Sequence, residues 1–361
     1  MAEKSPDFGF MATGIGSVPF LEVEATCREI LRLFPHMPFW PQFVKRSYLE
    51  DMSVQYSEGL PLLEVNEEKR SLTVSNTGER ESELVNFYER FFSGDLDSFA
   101  MSEAYAPGLY ALMASLNEIK SDQTHYIKGQ TVGPITFTSG ILGPDGRPVI
   151  HDPELSEAFV RGLAIKALWQ VKILEKSGRQ PVIFLDEPSL SGFGSAFSSI
   201  QRQDVVDKLQ MMISYLKDNS DCLVGIHCCG NTDWPMIMAA KPDIINFDAF
   251  EFIEHFLLYP DGIARFLKSG GTIAWGIVPT SGFTGSESLK DLLKKVGGGI
   301  KKIEEKGLSP QTIVERSIFT PSCGMGSMLP ANAHSAMSLL ARLQVETAEG
   351  VFQDSLTLIN S

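Results

Sequence analysis

Short apolar runs alternate with long amphipathic stretches along most of the chain. The runs Gly9–Gly16, Leu62–Val65, Tyr126–Thr131, Val182–Leu185, Cys222–Ile226, Ile244–Phe250, Thr272–Val278 and Ser317–Thr320 have the length and apolar content of buried strands. Helices fill the intervals. The clearest covers Pro153–Ser177, where Asp152 suits the N-cap, Pro153 the first turn and Gly178 the stop. Its residues Phe159, Leu163, Ala167, Val171 and Leu174 recur every three or four positions and make one apolar face. Asp204–Lys217, Ser288–Lys306 and Ala331–Glu349 carry the same signature.

Strands that alternate with helices are parallel and joined by crossovers. Eight such units predict an α/β fold, a (β/α)₈ TIM barrel formed as one domain over residues 1–361. Residues 18–60 and 70–124 are too long for simple connections, so insertions are expected after the first two strands. A doubly wound open sheet would focus its chemistry at one switch point. Here Ser17, Asp186, His227, Glu251 and Cys323 fall at the ends of many strands, which favours the barrel.

A net charge of −14 argues against nucleic acid or an anionic membrane as the main partner. Five cysteines, two of them adjacent, make a poor disulfide framework and suit a reducing compartment. The first residues show no apolar signal core, and no apolar run is long enough to cross a bilayer. The expectation is a soluble cytoplasmic protein.

The chemistry centres on His227-Cys228-Cys229-Gly230-Asn231, which follows the apolar run Cys222–Ile226. Residues two apart on a strand point to one side, so His227 and Cys229 aim an imidazole and a thiol at one place. That is half of a zinc site, and Glu251 and Cys323, after two other runs, are candidates for the rest. A shell of one neutral imidazole, two thiolates and one carboxylate carries a single net negative charge. Such a metal deprotonates a bound thiol yet leaves its sulfur nucleophilic, which points to sulfur alkylation rather than hydrolysis. Cysteines are also common as inert core residues, the reading given to Cys27, Cys222 and Cys228.

Asp186-Glu187-Pro188 offers two carboxylates suited to an ammonium group, or else a helix N-cap. Ile15-Gly16-Ser17 offers backbone N–H groups and a hydroxyl for a carboxylate, or else a glycine turn. Gly133-Pro134 reads as a turn and Gly297-Gly298-Gly299 as a helix break or loop. Phe39-Trp40-Pro41-Gln42-Phe43 reads as core packing rather than a docking surface.

In this order, Ile15-Gly16-Ser17, Gly133-Pro134-Ile135-Thr136, Asp186-Glu187-Pro188, His227-x-Cys229, Glu251 and Cys323-Gly324 resemble the catalytic domain of cobalamin-independent methionine synthase. The step of 22 residues from Cys229 to Glu251 also matches. The run His227-Cys228-Cys229-Gly230-Asn231-Thr232 is similar to that of the related uroporphyrinogen-decarboxylase-like methyltransferases, which use corrinoid proteins and thiols. The resemblance implies Zn²⁺ on His227, Cys229, Glu251 and Cys323. It implies homocysteine held by Ile15, Gly16, Ser17 and Asp186, with Glu67 a further contact and Asp186 the catalytic candidate among them. Departures from the family pattern near Gly140, at Gly192 and near Thr280-Ser281 weigh against folate as methyl donor.

The leading expectation is therefore a zinc-dependent thiol methyltransferase, homocysteine its acceptor and a methyl-corrinoid (methylcobalamin on a partner protein) its donor. The alternatives are another thiol such as coenzyme M, a folate-dependent methionine synthase, a decarboxylase of the porphyrinogen type, and a non-catalytic zinc- or corrinoid-binding protein. Decarboxylation predicts an arginine cluster near the first strand, where only Arg28, Arg32 and Arg46 lie.

Overall fold

The computed structural model describes residues 6–76, 78–118, 123–193 and 200–348. Its nine strands are β1 (Met11–Ala12), β2 (Leu63–Asn66), β3 (Ser71–Val74), β4 (Tyr126–Val132), β5 (Gln180–Asp186), β6 (Leu223–Cys228), β7 (Ile244–Phe247), β8 (Thr272–Val278) and β9 (Ser317–Pro321). Seven of them form one parallel sheet in the order β1-β9-β8-β7-β6-β5-β4, with helices packed outside it.

This is the curled sheet of a barrel-like α/β fold, but among the described residues its ladder does not close, and seven strands stand where eight were expected. The expected second strand, Leu62–Val65, belongs instead to an antiparallel hairpin of β2 and β3 outside the main sheet. Between the edges β1 and β4 runs the irregular segment 38–42. Trp40 N donates to Lys128 O (3.2 Å) and Lys128 N to Pro38 O (2.8 Å), while Gln42 N donates to Gly16 O (3.0 Å). Pro38 and Pro41 have no N–H to donate, so this stretch makes single bridges rather than a ladder. Phe39, Trp40 and Phe43 are fully buried, so the segment is core as expected. Gly14 is required beside it, because a Cβ there would collide with the Phe39 ring.

Phe8, Met37, Tyr126, Val182, Phe184, Ile244, Ala274 and Ile318 pack as one cluster of side chains inside the curl. A much larger apolar layer lies between the sheet and its helices. Burial of this order, at about 25 cal/mol per Å², is the main favourable contribution to folding.

The expected helices form. Pro153–Glu175 starts where Asp152 accepts a hydrogen bond from Leu155 N (3.1 Å), and Gly178 takes the positive φ (+74°) that ends the turn. Arg202–Asn219 and Pro330–Ala348 match two others; Glu349, the expected end of the last, lies outside the described residues. Leu289–Glu304 runs straight through Gly297-Gly298-Gly299, which is neither a break nor a loop. The helix approaches the sheet closely there, and a Cβ on Gly299 would press on Ile253 and Trp275. The expected insertions hold helices Val23–Leu33, Arg80–Ser93 and Pro107–Glu118. No helix among the described residues is long and apolar enough to cross a membrane.

Candidate metal centre

The site is assembled by register. Asp186, the last residue of β5, pairs with His227 of β6, and His227 pairs with Asn246 of β7. Paired residues of neighbouring strands project to the same face, so an unbroken polar row crosses the C-terminal ends of three strands. Cys229 lies one residue beyond β6, and Cys323 two residues beyond β9.

His227, Cys229 and Cys323 offer ligand atoms that all lie within 4.8 Å of one another. His227 is buried, and its Nδ1 is hydrogen-bonded to Asn246 Oδ1. The orientation of that amide is set from its other end, where Asn246 Nδ2 donates to Thr320 Oγ1 (2.7 Å) and Ala274 O (2.9 Å). Asn246 therefore presents its oxygen, His227 carries its proton on Nδ1, and Nε2 keeps a free lone pair. Among the described residues Nε2 has no hydrogen-bond partner, although it is shielded from solvent. A buried, oriented and unpartnered imidazole nitrogen beside two thiols fits a soft or borderline metal ion.

The two thiols are shifted in opposite directions by one another. A hydrogen bond from Cys323, then the neighbouring His227, hold the Cys229 thiol well below its ordinary range. The same contact with Cys229, together with burial, pushes Cys323 up. Burial opposes protonation of His227, but the neighbouring Cys229 sulfur and the charge of Asp186 outweigh it and raise its pKa.

The other cysteines are inert, as expected of core residues. Burial pushes Cys27 and Cys228 up to about 12 and Cys222 to about 11. Cys228 turns away from the cluster, towards Gly230 O and Ser191 Oγ. All five cysteines are free thiols.

Two expected site residues are not brought to the group. β7 ends at Phe247, and Asp248 caps a helix over Ala249–Phe256 by accepting from Glu251 N (2.9 Å). Glu251 thus sits in a first helical turn, exposed, not at a strand end. Period-two reasoning fails there because the chain has already begun to coil. Glu67 lies on the exposed turn of the β2–β3 hairpin, where its charge acts on Tyr105.

The two acids of Asp186-Glu187 divide their work. Asp186 is buried at the mouth, with no hydrogen-bond partner for Oδ1 among the described residues. Glu187 accepts from Ile135 N (2.8 Å), Thr136 N (2.7 Å) and Thr136 Oγ1 (2.6 Å), closing the first turn of helix Pro134–Gly140. The cap expected before Pro188 is not made: Glu187 gives no side-chain hydrogen bond to the 3₁₀ turn Pro188–Leu190 and serves the helix at Pro134 instead. Gly133-Pro134 opens that helix; a Cβ on Gly133 would strike Glu187.

The Ile15-Gly16-Ser17 turn meets the Cys323 loop. Ser17 Oγ accepts from Gly326 N (3.3 Å), and Ser17 O accepts from Met325 N (2.9 Å). A Cβ on Gly324 would overlap Ser17 Oγ, so the two loops meet with no room for a side chain unless that hydroxyl turns. Beside Cys229 a cavity of about 690 Å³ is bordered by Gly230, Asn231, Phe193 and Phe252.

Sequence reasoning missed Asn246, Thr320 and Lys128. Asn246 and Lys128 are each a polar residue inside an otherwise apolar strand, Ile244-Ile245-Asn246-Phe247 and Tyr126-Ile127-Lys128-Gly129, and that break in pattern was the available signal.

No protein-family model and no curated protein sequence matches the chain. Among solved structures it is similar to a methyltransferase from Methanosarcina mazei, with a TM-score of 0.51 and 12% identity over 95% of this chain and 94% of that one. At that identity the likeness shows the fold alone.

Proposed function

We propose that the chain is a zinc-dependent methyltransferase that moves a methyl group onto a small thiol. Homocysteine is the proposed acceptor and a methyl-corrinoid on a partner protein the proposed donor. The observation that carries the reading is the pair of sulfurs facing the unpartnered Nε2 of His227 at the C-terminal end of a parallel sheet. The name of the similar Methanosarcina mazei structure supports the same class.

His227, Cys229 and Cys323 would hold the metal. Three protein ligands plus one exchangeable position is the composition of a catalytic rather than a structural zinc site. Zinc, when bound, supplies the charge that brings a thiol to its thiolate form near neutral pH. Glu251 would join them as a fourth donor only if its side chain turned in from the exposed first helical turn that it occupies.

The remaining work falls to the chain's own groups. Asp186, with a free oxygen in a buried place, would take the ammonium of an amino-acid thiol. Ser17 uses its oxygen towards Gly326 and keeps its hydrogen to donate to a carboxylate. Packing of Cys228 and the Ser17–Gly324 contact hold both loops still, so that the acceptor is oriented rather than merely bound.

The test is spectral. Zinc-loaded protein mixed with methylcobalamin should lose the methyl-cobalt absorbance only when homocysteine is present, and Cys229→Ala should abolish the loss. Absence of any loss with zinc bound would sink the pairing of homocysteine with a corrinoid donor. An unchanged homocysteine affinity in Asp186→Ala would overturn the choice of acceptor.

A further inference from the structure

The Gly16-Ser17 turn is backed by a chain of buried amides whose direction is fixed from its far end. Gln42 and Gln55 are 3% and 0% exposed, and Gln55 belongs to the 3₁₀ turn Val54–Tyr56 in the first insertion. Gln55 Nε2 donates to Tyr105 O (2.6 Å) in the second insertion. A carbonyl can only accept, so Gln55 turns its amino group to Tyr105 and its oxygen to Gln42. Gln42 Nε2 donates to that oxygen, which leaves Gln42 Oε1 on the side of the turn. A Cβ on Gly16 would lie 2.9 Å from Gln42 Oε1 and 2.8 Å from Gln130 Cδ, so both side chains sit flush against the glycine.

The main chain of Gln42 grips the same turn. Gln42 N donates to Gly16 O (3.0 Å) and Val18 N to Gln42 O (2.9 Å), one bond on either side of Ser17. Ser17 in turn accepts from Met325 N (2.9 Å) and Gly326 N (3.3 Å), just beyond Cys323. The turn is thus clamped between an amide wall built by the two insertions and the loop that carries Cys323. Leaving a buried amide without its partner costs more than the bond itself contributed, so a break at one link frees the next.

We propose that Gln42 is a positioning residue: ordered by Gln55 and Tyr105, it holds the Gly16-Ser17 turn onto the Cys323 loop and sets the place of the Ser17 hydroxyl. That this hydroxyl meets the carboxylate of an amino-acid thiol rests on the function proposed above; the hold on the loop does not.

The experiment is amide hydrogen exchange on the full-length protein as purified, with a homocysteine titration beside it. Gln42→Leu should speed exchange at Met325 and Gly326 about tenfold or more, while the amides of β6 keep the parent rate. Unchanged exchange at those two positions overturns the proposal. An equal rise throughout the chain also overturns it, since that is the response to a merely structural loss. If Gln42→Leu does not fold, Gln55→Leu, one link further from the turn, should give the same local rise, and parent-like protection there overturns the proposal. In zinc-loaded protein Gln42→Leu should weaken homocysteine binding roughly tenfold at unchanged zinc content. Equal affinity in variant and parent overturns the proposal. No binding by the parent protein speaks against homocysteine as acceptor, and the exchange result then decides the proposal by itself.

Discussion

His227 Nδ1 is bonded to the side-chain oxygen of Asn246, and Asn246 is held in turn by Thr320 Oγ1 and the carbonyl of Ala274. One amide, set by its register opposite His227, therefore decides which imidazole nitrogen faces Cys229 and Cys323. The arrangement is that of a ligand oriented by the residue behind it, with the far nitrogen left for a metal ion.

Asn246→Ala should leave the three donors in place but free the ring. Zinc affinity should fall about 10- to 100-fold, read by competition with a chromophoric chelator. A fall smaller than about threefold would show that packing alone orients His227.

Removal of a donor is expected to act more sharply than removal of a neighbouring thiol. Cys229→Ala and Cys323→Ala should each reduce bound zinc from about one equivalent to a small fraction, measured on dialysed protein by elemental analysis. Cys228→Ala should retain the metal and lose only about 1–2 kcal/mol of stability, because its sulfur is packing.

Gly324→Ala tests the contact between the two loops. The added methyl would meet Ser17 Oγ and must displace either that hydroxyl or the Cys323 loop. A loss of about 1–3 kcal/mol in a urea unfolding experiment is expected, together with weaker zinc binding. Ser17→Gly in the same background should relieve the overlap and restore part of both. Equal metal affinity in Gly324→Ala and the parent protein would show that the loop yields without moving Cys323.

Glu187 should leave a signature in the pH dependence of stability. Burial lifts its pKa from 4.5 to about 7, against the pull of the three donors from Ile135 and Thr136. A carboxyl with a raised folded pKa binds its proton more tightly in the native state than in the unfolded one. Its contribution is fully present below pH 4.5 and is lost as pH rises through 7. The magnitude is about 3 kcal/mol over that window. Glu187→Gln should flatten this part of the stability curve, measured by denaturant midpoints across the range. It should also lower stability overall, because its amide nitrogen would face backbone N–H donors. An unchanged slope between pH 4.5 and 7 would place the titration elsewhere.

Much of the architecture was legible in the chain because burial imposes periodicity. A strand covered on both faces must be apolar throughout, and a helix against a sheet must repeat its apolar positions every three or four residues. Local chemistry was sufficient for the capped helix at Pro153 and for the parallel strands it connects. It also brought His227 and Cys229 to one side, since period-two alternation carries on for the one residue by which Cys229 lies beyond β6.

Tertiary structure alone decided what lies between strands. Pro38 and Pro41 interrupt the closing ladder, yet segment 38–42 reads as neither strand nor loop until its partners Gly16 and Lys128 are known. The helix that starts at Ala249 carries Glu251 away from the sulfurs, because the place where a strand becomes a helix depends on the Asp248 cap and on the packing beneath it. Asn246 and Lys128 acquired their meaning from register and reach: one stands opposite His227, the other spans from β4 to Ile15. Periodicity reports which face of an element is buried. It carries no information about which buried polar atoms meet, and that is a property of strand order and register.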